Sequence, residues 1–298
     1  MNPQFDPAVI LEPYTDRAGL SLALASDLAY EDEGAIQPQL LDWSFSDQST
    51  VFNKEEIQGF IAVNDELLIL CFRGTKNFQD WLYNLRVLPT EDALGKVHRG
   101  FSIGLDQVWQ AEVSPIIQEY AKGRTVWYTG HSLGAALATL AAARTSVELP
   151  EVAIKGIATF GQPRLASREF EEAFDAIFAD SFYRYVNNRD IVPRVPPGYH
   201  HVGQLIHFDA DGNIIDPSLT KLEAFAGEEV VHDDMSEVEF EDLQAALNRA
   251  PVSGSARDPL GAELEMMLEG KIEGLDIIEG IRDHSLSKGY IPALLKNV

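Results

Sequence analysis

Cysteine is almost missing from this sequence, basic side chains are scarce, and no apolar run reaches membrane-spanning length. The single cysteine, Cys71, lies in an apolar strand pattern with no second thiol to pair with. That excludes an internal disulfide and favours a reducing compartment. Only 23 Lys and Arg stand against 47 Asp and Glu, and a formal charge of −24 argues against nucleic acid and against electrostatic recruitment to anionic membranes. A spanning helix needs about 18 or more consecutive apolar residues, and none is present. The opening MNPQFDPAVILEPYTD lacks the basic start and apolar core of a signal peptide. The expectation is a cytoplasmic or membrane-peripheral protein, or a secreted one if a leader has been removed.

What is present is 298 residues with 45% hydrophobic content, enough for a full core. We expect one α/β domain over residues 1–298. The acidic excess is uneven: residues 208–283 carry 20 acidic against 5 basic side chains, a net −15 of the total −24. Within that stretch, residues 217–274 look like an acidic insertion or small cap, with helical patches near 238–247 and 260–268.

Residues 124–139, RTVWYTGHSLGAALAT, organise the rest of the chain. Val126, Trp127 and Tyr128 read as a buried strand and the small residues from Ala135 as a helix, so Gly130–Gly134 must be the turn between them. A GxSxG turn in that context is a nucleophile elbow. Its serine holds a strained backbone that lifts the hydroxyl above the sheet, while the two glycines let strand and helix approach. Ser132 is the candidate nucleophile.

Around this turn, strands and helices alternate. A helix capped at Thr15 or Asp16 runs to about Tyr30, and Phe60–Val63 with Leu67–Phe72 forms a hairpin leading into Arg73, Gly74 and Thr75. A helix over 103–120 is expected to kink at Pro115. Buried strands follow at 154–160 and 182–186, giving a mostly parallel sheet with helices on both faces. A further hairpin is expected over 202–215 around Asp211 and Gly212. Its DADGN stretch lacks the Gly and Glu spacing of a calcium loop and reads as a turn. Phe78, Trp81, Leu82 and Leu85 fall at i, i+3, i+4 and i+7, a short amphipathic helix that could face the core or cover an apolar site.

A serine hydroxyl needs a base, and the base an acid that fixes its tautomer. On this kind of sheet the chain order is nucleophile, acid, histidine. That leaves His200, His201, His207, His232 and His284 as bases and assigns His98 and His131 to packing and hydrogen bonding. Among the acids, Asp190 alone lies at a strand end in an apolar setting, beside Ile191, Val192 and Pro193.

FRGT (72–75), VHRGF (97–101), GHSLGAALA, TFGQPRL (159–165) and VNNRDIVPRVPP (186–197) resemble, in order, the signature stretches of the class 3, or fungal-type, lipases of the α/β-hydrolase fold. The resemblance covers about half of the chain, roughly Leu67–Phe208 with Asp283 and His284. It implies Ser132 as nucleophile, Asp190 as acid and His284 as base, with His207 as the weaker alternative base across the acidic stretch. It implies an oxyanion hole at Thr75 and the Leu133 N–H, and a helical lid over residues 76–90 presenting Phe78, Trp81, Leu82 and Leu85. Fungal members are secreted and disulfide-bonded, so their location does not transfer to a chain with one cysteine.

The expected activity is hydrolysis of acyl esters of glycerides through an acyl-enzyme, with interfacial activation at a neutral lipid surface and no metal or organic cofactor. Phospholipase A1, galactolipase and feruloyl-type esterase share such a site. From another class, a non-catalytic protein could use the acidic segment to bind a basic partner.

Overall fold

The computed structural model describes residues 4–75, 81, 82, 85, 88–215, 235–249 and 280–298. Three N-terminal helices come first: α1 (Pro7–Leu11), capped by the Asp6 carboxylate, α2 (Asp16–Leu28) and α3 (Glu33–Asp42), capped by Asp32. Strands β1 (Thr50–Lys54), β2 (Ile57–Val63) and β3 (Leu67–Phe72) follow. β2 and β3 are buried along their whole length, as expected of apolar runs covered on both faces. A separate two-stranded ribbon, β4 (Pro89–Asp92) with β5 (Gly95–His98), precedes α4 (Arg99–Asp106) and α5 (Ser114–Tyr120). Then β6 (Thr125–His131), α6 (Leu133–Glu148), β7 (Ile154–Phe160), α7 (Arg168–Phe178), β8 (Phe182–Asn187) and β9 (Gln204–Phe208) alternate. The described chain closes with α8 (Glu237–Arg249) and α9 (Ile291–Lys296).

The seven-stranded sheet has the order β1-β2-β3-β6-β7-β8-β9. β1, β2 and β3 pair antiparallel, and from β3 onward every pairing is parallel. One face packs Phe101, Leu105, Leu137, Phe170 and Phe174 against β3, β6 and β8. The opposite face packs Leu22, Ala25, Tyr290 and Leu294 against Ile69, Trp127 and Tyr185. The C-terminal ends of β6, β7 and β8 therefore lie side by side in a fully covered sheet, the place where open α/β sheets carry their sites.

One expectation about elements needs correction. The helix expected over 103–120 consists of α4, a single π turn at Trp109–Val113, and α5. The break falls at Gln107 and Val108, before Pro115. Pro115 sits instead in the first turn of α5, where its missing N–H costs no hydrogen bond. The hairpin expected over 202–215 forms with a shortened return arm: β9 joins the sheet parallel to β8, and residues 213–215 run back antiparallel through the Phe208–Ile214 bridge, with Ile215 N–H donating to the His207 carbonyl (2.8 Å). The Asp209 carboxylate caps that turn by accepting from the Asp211 and Asn213 N–H groups. Of the acidic stretch, α8 overlaps the helical patch expected at 238–247, and the patch at 260–268 lies outside the described residues.

Candidate active site

Ser132 stands between β6 and α6 with φ 59° and ψ −130°, a conformation that non-glycine residues rarely adopt. The elbow is held by Ser132 N–H donating to the Phe160 carbonyl (3.0 Å) and by Ala135 N–H donating to the Ser132 carbonyl (3.0 Å). Its glycines are required by contact: a Cβ on Gly130 would strike the Gly134 backbone, and one on Gly134 would strike Phe72 and Arg73. Among the described residues, the Ser132 hydroxyl is buried without a hydrogen-bond partner, so none of them competes for its lone pairs.

Asp190 lies three residues beyond β8 and is 2% exposed. A buried carboxylate must be hydrogen-bonded, and this one is. Its Oδ1 accepts from the Val192 N–H (2.9 Å), His284 Nδ1 approaches Oδ2 at 2.8 Å, and the Tyr290 hydroxyl donates to Oδ2. Burial, reinforced by the neighbouring Asp190 charge, holds the Tyr290 hydroxyl well above its usual range, so it stays protonated as a donor.

His284 follows residues 216–279 in sequence but is tied directly to the β8 exit. Asn187 Nδ2 donates to the Asp283 carbonyl (2.9 Å), and Asn188 Nδ2 and Arg189 N–H both donate to the Asp283 carboxylate (2.9 and 3.1 Å). Ile191 N–H donates to the Gly280 carbonyl (3.1 Å), so the segment that carries His284 is anchored on the same loop that carries Asp190. Gly161, at φ +58°, lies under the pair: a Cβ there would come within 2.6 Å of His284 Cε1 and 2.8 Å of Asp190 Oδ2. The His284 ring lies 4.4 Å from that of His131, the residue preceding Ser132.

The other candidate bases point elsewhere. His207 is buried in β9, donates from Nε2 to the Asn188 carbonyl (2.8 Å) and is held below its ordinary pKa by burial. His200 lies 3.2 Å from Glu171, and His201 donates to the Pro193 carbonyl (2.7 Å). His232 lies outside the described residues.

Leu133 opens α6, so its N–H has no acceptor inside the helix and sits at the positive end of the helix dipole. Leu133 and Thr75 both line a cavity of about 550 Å³ whose apolar walls include Trp81, Leu85, Phe101 and Ile103. That volume suits a flexible apolar chain. Of the four expected lid residues, Phe78 lies outside the described residues. Trp81 is half-buried with its ring 6.4 Å from that of Phe101, while Leu82 and Leu85 are buried at 0% and 3% exposure. Leu82 and Leu85 share their core with Phe240 and Leu243 of α8, and Gln244 Nε2 donates to the Leu82 carbonyl (3.3 Å).

Four residues of the site escaped the sequence reading. Tyr290 lies six residues past His284 with nothing in its spacing to pair it with Asp190. Gly161 reads as an ordinary turn glycine. The Asn187 and Asn188 clamp on Asp283 was visible only as a polar strand end.

Residues 69–200 match the class 3 lipase family. A lipase of Caenorhabditis elegans, ZK262.3, is 34% identical over 145 residues, which is 46% of this chain and 41% of that protein. A lipase of Rhizopus niveus is 33% identical over 167 residues, 50% of this chain and 41% of that protein. The chain thus spans under half the length of either relative. Among solved structures, the triacylglyceride lipase of Rhizomucor miehei superposes with a TM-score of 0.53 at 22% identity, covering 64% of this chain and 78% of that one. This likeness shows the α/β-hydrolase fold.

Proposed function

For a chain with the class 3 lipase family over residues 69–200, we propose a serine ester hydrolase that cleaves acyl esters of glycerides through an acyl-enzyme. The observations that carry this reading are the strained Ser132 elbow and a buried His284 and Asp190 pair at 2.8 Å, with the His284 ring 4.4 Å from that of His131, the residue preceding Ser132. Ser132 Oγ attacks the ester carbonyl while His284 Nε2 takes its proton. Asp190 holds the Nδ1–H and stabilises the imidazolium that forms. The oxyanion is received by the Leu133 N–H and by Thr75, and such preorganised donors are typically the largest single electrostatic contribution. His284 then returns the proton to the departing alcohol. Water repeats the sequence in the second half and regenerates Ser132.

The cavity against Thr75 and Leu133 supports an acyl substrate, because its walls are mostly apolar and include both proposed oxyanion donors. Trp81 and Leu85 belong to the same walls, which supports a lid over residues 76–90 that opens at a neutral lipid surface. The acidic stretch at 217–274 acts as a small cap whose helix α8 holds the base of that lid through Gln244. Covalent labelling by a fluorophosphonate probe tests the reading. Labelling at Ser132 that is lost in Ser132→Ala supports a serine hydrolase. Wild-type protein that resists the probe, with and without a lipid interface, would instead favour a non-catalytic binding role for the acidic segment.

A further inference from the structure

His131 has a fixed hydrogen-bond pattern that leaves one solution for its protons. Its Nε2 lies 2.6 Å from the His284 carbonyl oxygen, which can only accept, so Nε2 carries the hydrogen. A neutral ring then presents Nδ1 as an acceptor, 2.7 Å from the Tyr30 hydroxyl, so Tyr30 donates. The Tyr30 hydroxyl also packs directly against Gly74, the residue preceding Thr75. The packing leaves no slack, since a Cβ on Gly74 would collide with the Tyr30 hydroxyl and come within 3.0 Å of Ser132 Cβ.

We propose that Tyr30 and His131 form a positioning relay from the oxyanion strand to the catalytic histidine, fixing Thr75, Ser132 and His284 relative to one another. This rests on the serine hydrolase reading. The relay joins segments that are far apart in sequence: Tyr30 just past α2, Gly74 just past β3, His131 at the end of β6, and the backbone of His284. Neither residue touches the reacting atoms. His131 acts through the His284 backbone, and Tyr30 acts through His131.

The relay also has an electrostatic consequence. When His284 accepts the Ser132 proton it becomes an imidazolium with the His131 ring 4.4 Å away. A second cation there would oppose the transfer. Burial, followed by the unfavourable charge interaction with His284, holds His131 well below its ordinary pKa and so neutral. The other ionisable groups facing the two rings are Asp190, which favours the imidazolium, and the hydroxyls of Tyr30 and Tyr290, which remain protonated.

The test uses the full chain and a soluble nitrophenyl ester, with kcat and KM measured for Tyr30→Phe, His131→Leu, His131→Gln, the Tyr30→Phe/His131→Leu double variant and Ser132→Ala. Displacing a reacting group by about 1 Å can cost on the order of 100-fold, so His131→Leu should lower kcat by about 10- to 100-fold with KM little changed. Tyr30→Phe should lower kcat by about 10-fold and, losing one oxygen from a half-buried side chain, serves if His131→Leu fails to fold. His131→Gln should recover most of the loss, because its amide N–H can still donate to the His284 carbonyl. The double variant should be no slower than His131→Leu alone, since the two residues act as one unit. Wild-type kcat in Tyr30→Phe and His131→Leu, or equal losses in the Leu and Gln variants, would overturn the relay. Full hydrolysis by Ser132→Ala would instead overturn the serine hydrolase reading beneath it.

Discussion

Tyr290 donates its hydroxyl hydrogen to Oδ2 of Asp190, the same oxygen that His284 Nδ1 faces at 2.8 Å. The carboxylate therefore holds two side-chain donors and the Val192 N–H in a pocket closed to solvent. A hydrogen bond to a charged group contributes about 1.5–3 kcal/mol, and the proposed mechanism uses the Asp190 carboxylate to support the His284 imidazolium.

Removing the Tyr290 hydroxyl should thus weaken catalysis without abolishing it. Tyr290→Phe is expected to lower kcat by about 10-fold, whereas Asp190→Asn, which imposes the wrong tautomer on His284, should cost about 10⁴-fold. Steady-state kinetics on a soluble ester would measure both. A Tyr290→Phe enzyme with wild-type kcat would reduce Tyr290 to a packing residue.

Burial separates two carboxylates that share one arginine. Arg144 Nη2 lies 2.7 Å from Asp92 Oδ2, and Arg144 Nη1 lies 2.7 Å from Asp106 Oδ1, but the Asp92 side chain is 2% exposed and that of Asp106 is 60% exposed. Burial opposes the Asp92 charge, yet hydrogen bonds from Arg144, Ser102 and the Ala93 N–H outweigh it and hold the carboxyl below its usual pKa. Truncating a buried partner strands the other charge. Asp92→Ala should therefore cost about 3–5 kcal/mol of stability and Asp106→Ala about 1 kcal/mol or less. Urea denaturation would distinguish them, and equal losses would mean that Arg144 is held by packing alone.

Legibility in the sequence followed the range of the interaction that decides each feature. The elbow is local: strand, glycine, serine, glycine and small-residue helix lie in one stretch, so Ser132 and the contacts of Gly130 and Gly134 could be read directly. Asp190 was readable because a carboxylate among apolar neighbours at a strand end needs a partner. The tie between His284 and the β8 exit depends on Asn187 and Asn188 reaching Asp283 across 95 residues or more. Periodicity carries no trace of that. The β4–β5 ribbon was missed for a related reason, since PTED and GKVH lack an apolar alternation and are paired by their backbones. Pro115 was misplaced because proline signals the start of a helix as readily as a break.

The buried histidines make stability depend on pH in a direction that follows from their shifts. Folded His131 and His207 both bind protons less readily than in the unfolded chain, where the ordinary value is about 6.5. Above that pH both states are neutral and the stability is fully present. As pH falls below it the unfolded chain takes up protons that the fold refuses, and stability drops by up to about 1.4 kcal/mol per pH unit for each histidine. Acid also relieves the repulsion of a −24 chain, so the whole-protein curve mixes opposing contributions. A difference isolates one of them. His207→Gln keeps a donor for the Asn188 carbonyl and cannot titrate, so its stability relative to wild type should improve steadily from pH 7.5 to 5.5. A pH-independent difference would mean that His207 protonates freely in the fold.

The lid prediction turns on which apolar side chains are already buried. Of the expected lid residues Trp81, Leu82 and Leu85, Trp81 is half-buried, while Leu82 and Leu85 share a core with Phe240 and Leu243 of α8. Serine at position 82 would therefore damage the core as well as the lid. Position 240 tests the same contact from the α8 side. Phe240→Ala removes an aromatic face from the lid base and should weaken the closed arrangement by about 3 kcal/mol or more. If α8 holds the lid shut, hydrolysis of a dissolved short-chain ester should rise, and the jump in rate when that ester aggregates should shrink. Trp81→Ser should act on the other state: less apolar surface to bury at an interface, at roughly 25 cal/mol per Å², lowers the rate on aggregates and spares the dissolved ester. Neutral or zwitterionic interfaces should also be preferred to anionic vesicles, with a gap that narrows as salt screens the charge over about 10 Å at 0.1 M. Should Phe240→Ala lower the melting temperature and leave both rates unchanged, α8 is a packing helix and residues 76–90 open without it.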